Sequence, residues 1–187
     1  MVQTPVKPVT LTAFLTLLET NPACEFIDGK ITQKPMPKGK HSRLQTKLSN
    51  WLNEALEAQG TGLAFSELRC TFGGASIVPD VVVLGSDRIL KDKNGDIADA
   101  VEVAPDASIE ILSPQQSTTK VIKNIKHCLN HGTEIGWLID PTEKTVLIFH
   151  RDLPLQILDH SESLLPMPQI LRPCDLTVGT LFGWLQV

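Results

Sequence analysis

Two short apolar segments constrain this chain more than any other feature, because each carries a carboxylate where a core strand ordinarily has none. The first opens Pro79-Asp80 and continues Val81-Val82-Val83-Leu84; the second runs Ser108-Ile109-Glu110-Ile111-Leu112 and closes on Ser113-Pro114. β-Branched runs of this length, bounded by turn residues, read as strands. Side chains alternate along a strand, so Ile109 and Ile111 share one face while Ser108, Glu110 and Leu112 share the other. An ionised glutamate in such a strand is costly unless it is paired, hydrated or bound to a metal. Two carboxylates on neighbouring strands make a hard-oxygen site of the type Mg²⁺ takes, with waters and substrate phosphate completing its shell. The structural alternative is that Asp80 caps a turn and Glu110 finds an Arg or Lys partner.

The rest of the composition narrows the class. A chain of 187 residues is expected to form one domain, with residues 1–9 as a loose Pro- and Val-rich arm, and its 42% hydrophobic content can fill a sizeable core. A formal net charge of −4 argues against a general basic surface for gripping a nucleic-acid backbone, although a local basic patch is compatible with it. No stretch approaches the roughly 18 apolar residues of a membrane span, and the N-terminus lacks the apolar core of a signal peptide. Cys24, Cys70, Cys128 and Cys174 are far apart, with no Cys-x-x-Cys pair. They read as reduced, mostly buried cysteines of a cytoplasmic protein.

Taken in order, Thr10–Glu19 has Leu11, Phe14, Leu15 and Leu18 at helical spacing, with Thr10 or Thr12 as the cap and Asn21-Pro22 as the stop. Cys24–Ile31 reads as a hairpin about Asp28-Gly29, on which Glu25 is expected to be an exposed edge charge. Residues 34–40 form a Pro-, Gly- and Lys-rich loop with Lys34, Lys38 and Lys40. A solvated loop is the default there, and approach to phosphates the alternative. The spacing predicts a helix over His41–Gln59, with Leu44, Leu48, Trp51, Leu52, Ala55 and Leu56 as its apolar stripe. A strand over Leu63–Thr71, the Gly73-Gly74 turn and the two acidic strands follow, the latter separated by a polar loop over 85–99. A helix is predicted over Thr118–Gly132, capped by Gly132, then strands at Ile135–Ile139, Thr145–His150 and Leu155–Leu158, and a closing helix around Thr177–Leu185. Lys126 and His127 read as surface residues. The order implies a mixed α/β fold, a mixed sheet flanked by helices.

These pieces, in this order, resemble the PD-(D/E)XK nuclease superfamily, and more narrowly its Uma-two branch of restriction endonucleases. Glu25-Phe26-Ile27-Asp28-Gly29 matches the branch's opening hairpin, and His41 the histidine that opens its first core helix. Asp80 and Glu110 with their flanking residues match the two acidic motifs, and Trp137-Leu138-Ile139-Asp140-Pro141 the strand after the next helix. The resemblance implies a restriction-endonuclease-like core, and a Mg²⁺ ion (or Mn²⁺) held by Asp80, Glu110 and the carbonyl of Ile111. It also implies a lysine, but Leu112 stands where the superfamily usually carries it. In this branch the lysine resembles one moved to the following helix, in an Asp, Lys, Tyr series at four-residue steps that here reads Lys120, Asn124, Cys128. Either Lys120 or Lys123 is then the catalytic lysine, with Lys120 the first choice. Glu25, His41 and Gln116 are accessory candidates, and Ser113, Gln115, Gln116 and Ser117 stand as phosphate or second contacts, or simply as helix caps.

The expected activity is metal-dependent hydrolysis of DNA by a homodimer. Two other classes compete with it: a catalytically inactive nuclease fold used for binding or assembly, which the displaced lysine and acidic charge favour, and a phosphatase of small nucleotides. With no separate recognition domain in the sequence, base contacts would come from the loops 33–40 and 85–99.

Overall fold

A computed structural model describes residues 9–114 and 116–186; the predicted arm, apart from Val9, and Gln115 lie outside the described residues. The chain opens with a helix α1 (Leu11–Leu15), capped by the Thr10 hydroxyl accepting from the Ala13 amide at 3.2 Å. It is shorter than its spacing predicts: Leu18 lies outside it and is 92% exposed. The hairpin follows as β1 (Cys24–Ile27) and β2 (Lys30–Gln33). Asp28 (φ 50°) and Gly29 (φ 72°) both adopt left-handed backbone, the requirement of the two-residue turn that suits twisted antiparallel strands.

Helix α2 (Gly39–Gln59) buries Leu44, Leu48, Leu52 and Leu56, and Gly60 closes it in the left-handed conformation. The predicted strand Leu63–Thr71 is two strands in two different sheets, β3 (Gly62–Ser66) and β4 (Cys70–Phe72). Glu67, at φ 52°, breaks the run between them. β5 (Ala75–Ile77) turns back on β4 across Gly73-Gly74, then come β6 (Val81–Gly85) and β7 (Ala107–Ile111). Five strands, not three, therefore separate α2 from α3 (Thr118–Asn130), the surplus being the β4–β5 hairpin. β8 (Ile135–Asp140), β9 (Thr145–His150), β10 (Gln156–Leu158), a 3₁₀ turn over Gln169–Leu171 and α4 (Val178–Gly183) complete the fold.

The large sheet has the order β10-β9-β8-β7-β6-β3, and a smaller one the order β2-β1-β5-β4. The large sheet is mixed, as expected: β7 and β8 run parallel and every other neighbouring pair antiparallel. A parallel neighbour needs a crossover, and α3 is that crossover. It lies so close to the sheet that a Cβ on Gly136 of β8 would run into Cγ2 of Ile125. α2 covers one face of the sheet over Val81, Val83, Ile109 and Ile111, together with α4 and the 3₁₀ turn. The opposite face carries Leu138 under Val121, Ile125 and Leu129 of α3.

That two-faced burial dictates the character of β7. All five of its residues are buried, including Ser108 and Glu110. Alternation sends Ile109 and Ile111 to the α2 face, and Ser108 and Glu110 to the α3 face. The register pairs Val81 with Ile109 and Val82 with Ser108. Asp80, one step before β6, therefore emerges beside Glu110, one step beyond Ile109, where the ladder ends.

Candidate active site

Six segments distant in sequence meet where Asp80 and Glu110 emerge: β1, the residue after β2, the first turn of α2, the start of β6, the end of β7 and the middle of α3. Asp80 is 2% exposed and its two oxygens are divided among three donors. Oδ1 accepts from Lys34 Nζ at 2.6 Å. Oδ2 accepts from the Ile111 amide at 2.7 Å and lies 3.0 Å from Nε2 of His41. Gln45 of α2 donates to the main-chain oxygen of the same residue at 2.9 Å, tying the helix to the start of β6. Burial alone would raise the Asp80 carboxyl; the His41 hydrogen bond, the Lys34 charge and the His41 charge outweigh it and hold the group down at about 2. Asp80 is thus an ion-paired anion rather than a turn cap.

Glu110 has the opposite balance. It is 2% exposed, Oε2 lies 3.5 Å from Lys34 Nζ, and Oε1 is buried without a hydrogen-bond partner. Burial drives its pKa well above the ordinary glutamate value; Lys34 pulls it down, and the neighbouring Asp80 and Glu25 push it further up. Two carboxylates sharing one pocket with their proton affinities driven apart is a common arrangement at functional sites.

The sequence reads Lys34 by default as part of a solvated loop, with approach to phosphates as the alternative, and the default is corrected: its side chain is 10% exposed and its ammonium is the hub of the site. It donates to Asp80 Oδ1 and to the main-chain oxygen of Val78, each at 2.6 Å, and faces Glu110 at 3.5 Å. Burial by itself would lower its pKa, but Glu110, Asp80 and Glu25 together raise it above the ordinary lysine value, so it is charged at neutral pH. Glu25 is also buried, not an exposed edge charge. Its Oε1 accepts from the Val78 amide at 2.9 Å and its Oε2 from Asn124 Nδ2 at 2.9 Å, so it clamps β1 to both the β6 approach and α3. The only early hint of this was its place among the motif residues of the opening hairpin.

Glu25, Lys34 and Asn124 of the site line a cleft of about 570 Å³ between the β1–β2 hairpin and α3, while Asp80 and Glu110 are buried and are not among its lining residues. Lys30, Thr32 and Lys34 line one wall; Gln116, Ser117, Lys120 and Lys123 line the other. Lys120 and Lys123 are exposed, and neither forms an ion pair with Asp80 or Glu110. Asn124, one turn beyond Lys120, is buried against Glu25 instead. Gln116 accepts from the Ser113 amide at 3.0 Å and so braces the loop after β7, while Ser117 sits at the start of α3 without a side-chain capping bond. Ile111 meets the site through its amide, which Asp80 holds. Lys126 is exposed as expected, but His127 is half-buried: its ring stacks on Phe72 at 5.0 Å between centroids, and its Nε2 bonds the Phe72 carbonyl at 3.1 Å.

A family model described as "Uma2: Putative restriction endonuclease" matches residues 11–179. The chain belongs to the Uma2 family. Among solved structures, it is similar to a putative nuclease belonging to DUF820 from Anabaena variabilis ATCC 29413, whose crystal structure was determined at 1.96 Å resolution. The two share 49% sequence identity and superpose with a TM-score of 0.93, over 95% of this chain and 99% of that one. No curated protein matches the chain. Uma2 membership accounts for the nuclease-like core that the opening hairpin, the acidic strands and the α3 crossover build.

Among the described residues no three His, Cys, Asp or Glu side chains are grouped to hold a metal. The pocket offers instead the carboxylates of Asp80 and Glu110 and the Val78 carbonyl, all converging on one ammonium. Mg²⁺ needs only one or two carboxylates, with water and phosphate for the remainder. The unpartnered Oε1 of Glu110 is a spare hard-oxygen donor. By chemical type, the donor set fits.

Proposed function

We propose that the chain is a metal-dependent endonuclease that hydrolyses DNA phosphodiester bonds at Asp80 and Glu110, beside the hairpin–α3 cleft. The observation that carries this reading is the convergence of Asp80 and Glu110 on the ammonium of Lys34, which lines a cleft that also bears Lys30, Lys120 and Lys123.

Asp80 and Glu110 would hold Mg²⁺ or Mn²⁺, with the main chain at Ile111 as the neighbouring contact. Such an ion supplies Lewis-acid polarisation of the phosphodiester and a nucleophile drawn from water at neutral pH. Asp80 is suited to this because His41, Lys34 and the Ile111 amide hold it ionised and oriented. Glu25 fixes the distance between hairpin and α3, and so the width of the cleft. Lys120 and Lys123 offer charge to a phosphate backbone, which supplies most of the sequence-independent affinity for nucleic acid. The ammonium of Lys34, already at the carboxylates, is the lysine best placed to meet charge building on the scissile phosphate.

Plasmid nicking with Mg²⁺ or Mn²⁺, comparing the wild type with Glu110→Ala purified identically, tests this reading. Metal-dependent nicking lost in the variant supports it; equal activity in both indicates a contaminant and removes the support. One observation favours a second reading, a nuclease fold that binds without cleaving: Lys34 sits against two almost fully buried carboxylates. Metal uptake without nicking would select that module. The reading includes a homodimer, which light scattering behind gel filtration tests directly.

A further inference from the structure

We infer that Lys34 is a built-in counter-cation: its ammonium occupies the position between Asp80 and Glu110 and yields it to a divalent cation, moving into the cleft to take a phosphate. Metal and phosphodiester then bind cooperatively. The inference rests on the nuclease reading above and deepens it.

The geometry is that of a cation-binding position already filled. Three oxygens surround Lys34 Nζ: Asp80 Oδ1 and the Val78 carbonyl at 2.6 Å, and Glu110 Oε2 at 3.5 Å. These are the oxygens a small hard cation would need, and a second cation a few ångströms from an ammonium in a buried pocket is strongly disfavoured. One of the two must leave.

Lys34 is built to be the one that moves. Its main chain is pinned, with its amide donating to the Ala23 carbonyl at 2.9 Å, so the hairpin need not shift. Its side chain is a flexible four-carbon stem carrying a compact charge, and it lines the same cleft as Lys120 and Lys123. His41, by contrast, is buried in the first turn of α2, with its ring nitrogen 3.0 Å from Asp80.

Charge balance gives the exchange its direction. Lys34 brings one positive charge to Asp80 and Glu110, and a divalent ion in its place brings two. The displaced ammonium then gives up Asp80 and Glu110 as partners, and each oxygen of nearby Glu25 already accepts one hydrogen bond, from Val78 and from Asn124. A phosphate in the cleft supplies the missing acceptor through a charge-assisted hydrogen bond. Linkage makes the effect reciprocal: phosphodiester favours metal as much as metal favours phosphodiester.

The test is calorimetric titration of Mn²⁺ into DNA-free wild type and Lys34→Met, with anisotropy of a phosphorothioate oligonucleotide with and without Mn²⁺. Lys34→Met should bind Mn²⁺ about tenfold more tightly than the wild type, and the wild type should gain about tenfold in oligonucleotide affinity on adding Mn²⁺, a gain the variant loses. Should the variant fail to fold, the wild type alone decides the matter. The ¹³Cε resonance of Lys34, assigned by Lys34→Arg, should move to the position of an exposed lysine on saturation with Mg²⁺. A Lys34 resonance that stays put while Mg²⁺ binds overturns the exchange, as does Mn²⁺ binding to Lys34→Met no tighter than to the wild type. If neither protein takes up Mn²⁺, the metal-dependent nuclease reading falls and the exchange falls with it.

Discussion

Asp80 Oδ2 receives the backbone amide of Ile111 at 2.7 Å across the ladder that joins β6 and β7. A side chain just before one strand thus caps the end of the next, and it ties Asp80 to the strand that carries Glu110. The same atom also faces His41 at 3.0 Å, so one carboxylate oxygen ties strand to strand and sheet to helix.

That arrangement makes stability acid-sensitive. Asp80 is held at about 2 in the folded protein against an ordinary 3.8. A depressed carboxyl stabilises the fold above the unfolded value, and its contribution is lost as pH falls from about 4 toward 2. Burial supports full weight for the group, and the shift corresponds to roughly 2 kcal/mol. Urea unfolding of the wild type should therefore lose about that much more than Asp80→Asn over this interval, although the variant is the less stable protein at pH 7. Parallel pH profiles for the two proteins would refute the assignment.

Glu110 should behave with the opposite sign. Its pKa is raised in the folded state, so the fold favours the protonated form: full benefit lies below the unfolded value and is lost as pH rises through the raised one. Glu110→Gln mimics the neutral form. It should abolish metal-dependent nicking while raising the melting temperature at pH 8, and the gain should shrink as pH is lowered toward 4. A melting temperature that falls equally at both pH values would mean the charge is well compensated in the metal-free fold.

Glu25 joins groups that no local pattern connects. Glu25→Ala leaves the Val78 amide and the Asn124 side chain without their acceptors, which should cost about 1–3 kcal/mol for the buried donor alone. Glu25→Gln keeps one acceptor and should cost less. Because Glu25 and Asn124 touch, a double-mutant cycle with Asn124→Ala should show coupling of about 0.5–3 kcal/mol. Additive losses would mean that the clamp does not act as a unit.

Lys120 and Lys123 are exposed on the cleft wall, so their removal should leave the fold alone and act on nucleic acid. The double variant Lys120→Ala/Lys123→Ala should melt within about 1 °C of the wild type. Its oligonucleotide affinity should weaken, with a shallower dependence on salt, by about one unit of slope for each phosphate no longer neutralised. An unchanged salt slope would take both lysines out of the interface.

What the sequence determined by itself was local or periodic. Asp28-Gly29 specifies a hairpin because left-handed backbone at two successive residues is a property of those residues. The leucines of α2 specify a buried stripe because helical spacing is enough to bring them together. Asp80 and Glu110 stood out because a carboxylate in an apolar strand demands an explanation wherever the strand goes. The tertiary structure decided the rest. Lys34 reaches Asp80 across 46 residues and Glu25 reaches Asn124 across 99, separations at which spacing carries no information. Glu67 takes left-handed backbone between β3 and β4, which lie in different sheets, although Leu63–Thr71 reads as one strand. Lys34 was the hardest to foresee. The burial of a long charged side chain depends on which acceptors the folded chain brings within reach of its end, and the Pro- and Gly-rich segment around it gave no sign of them.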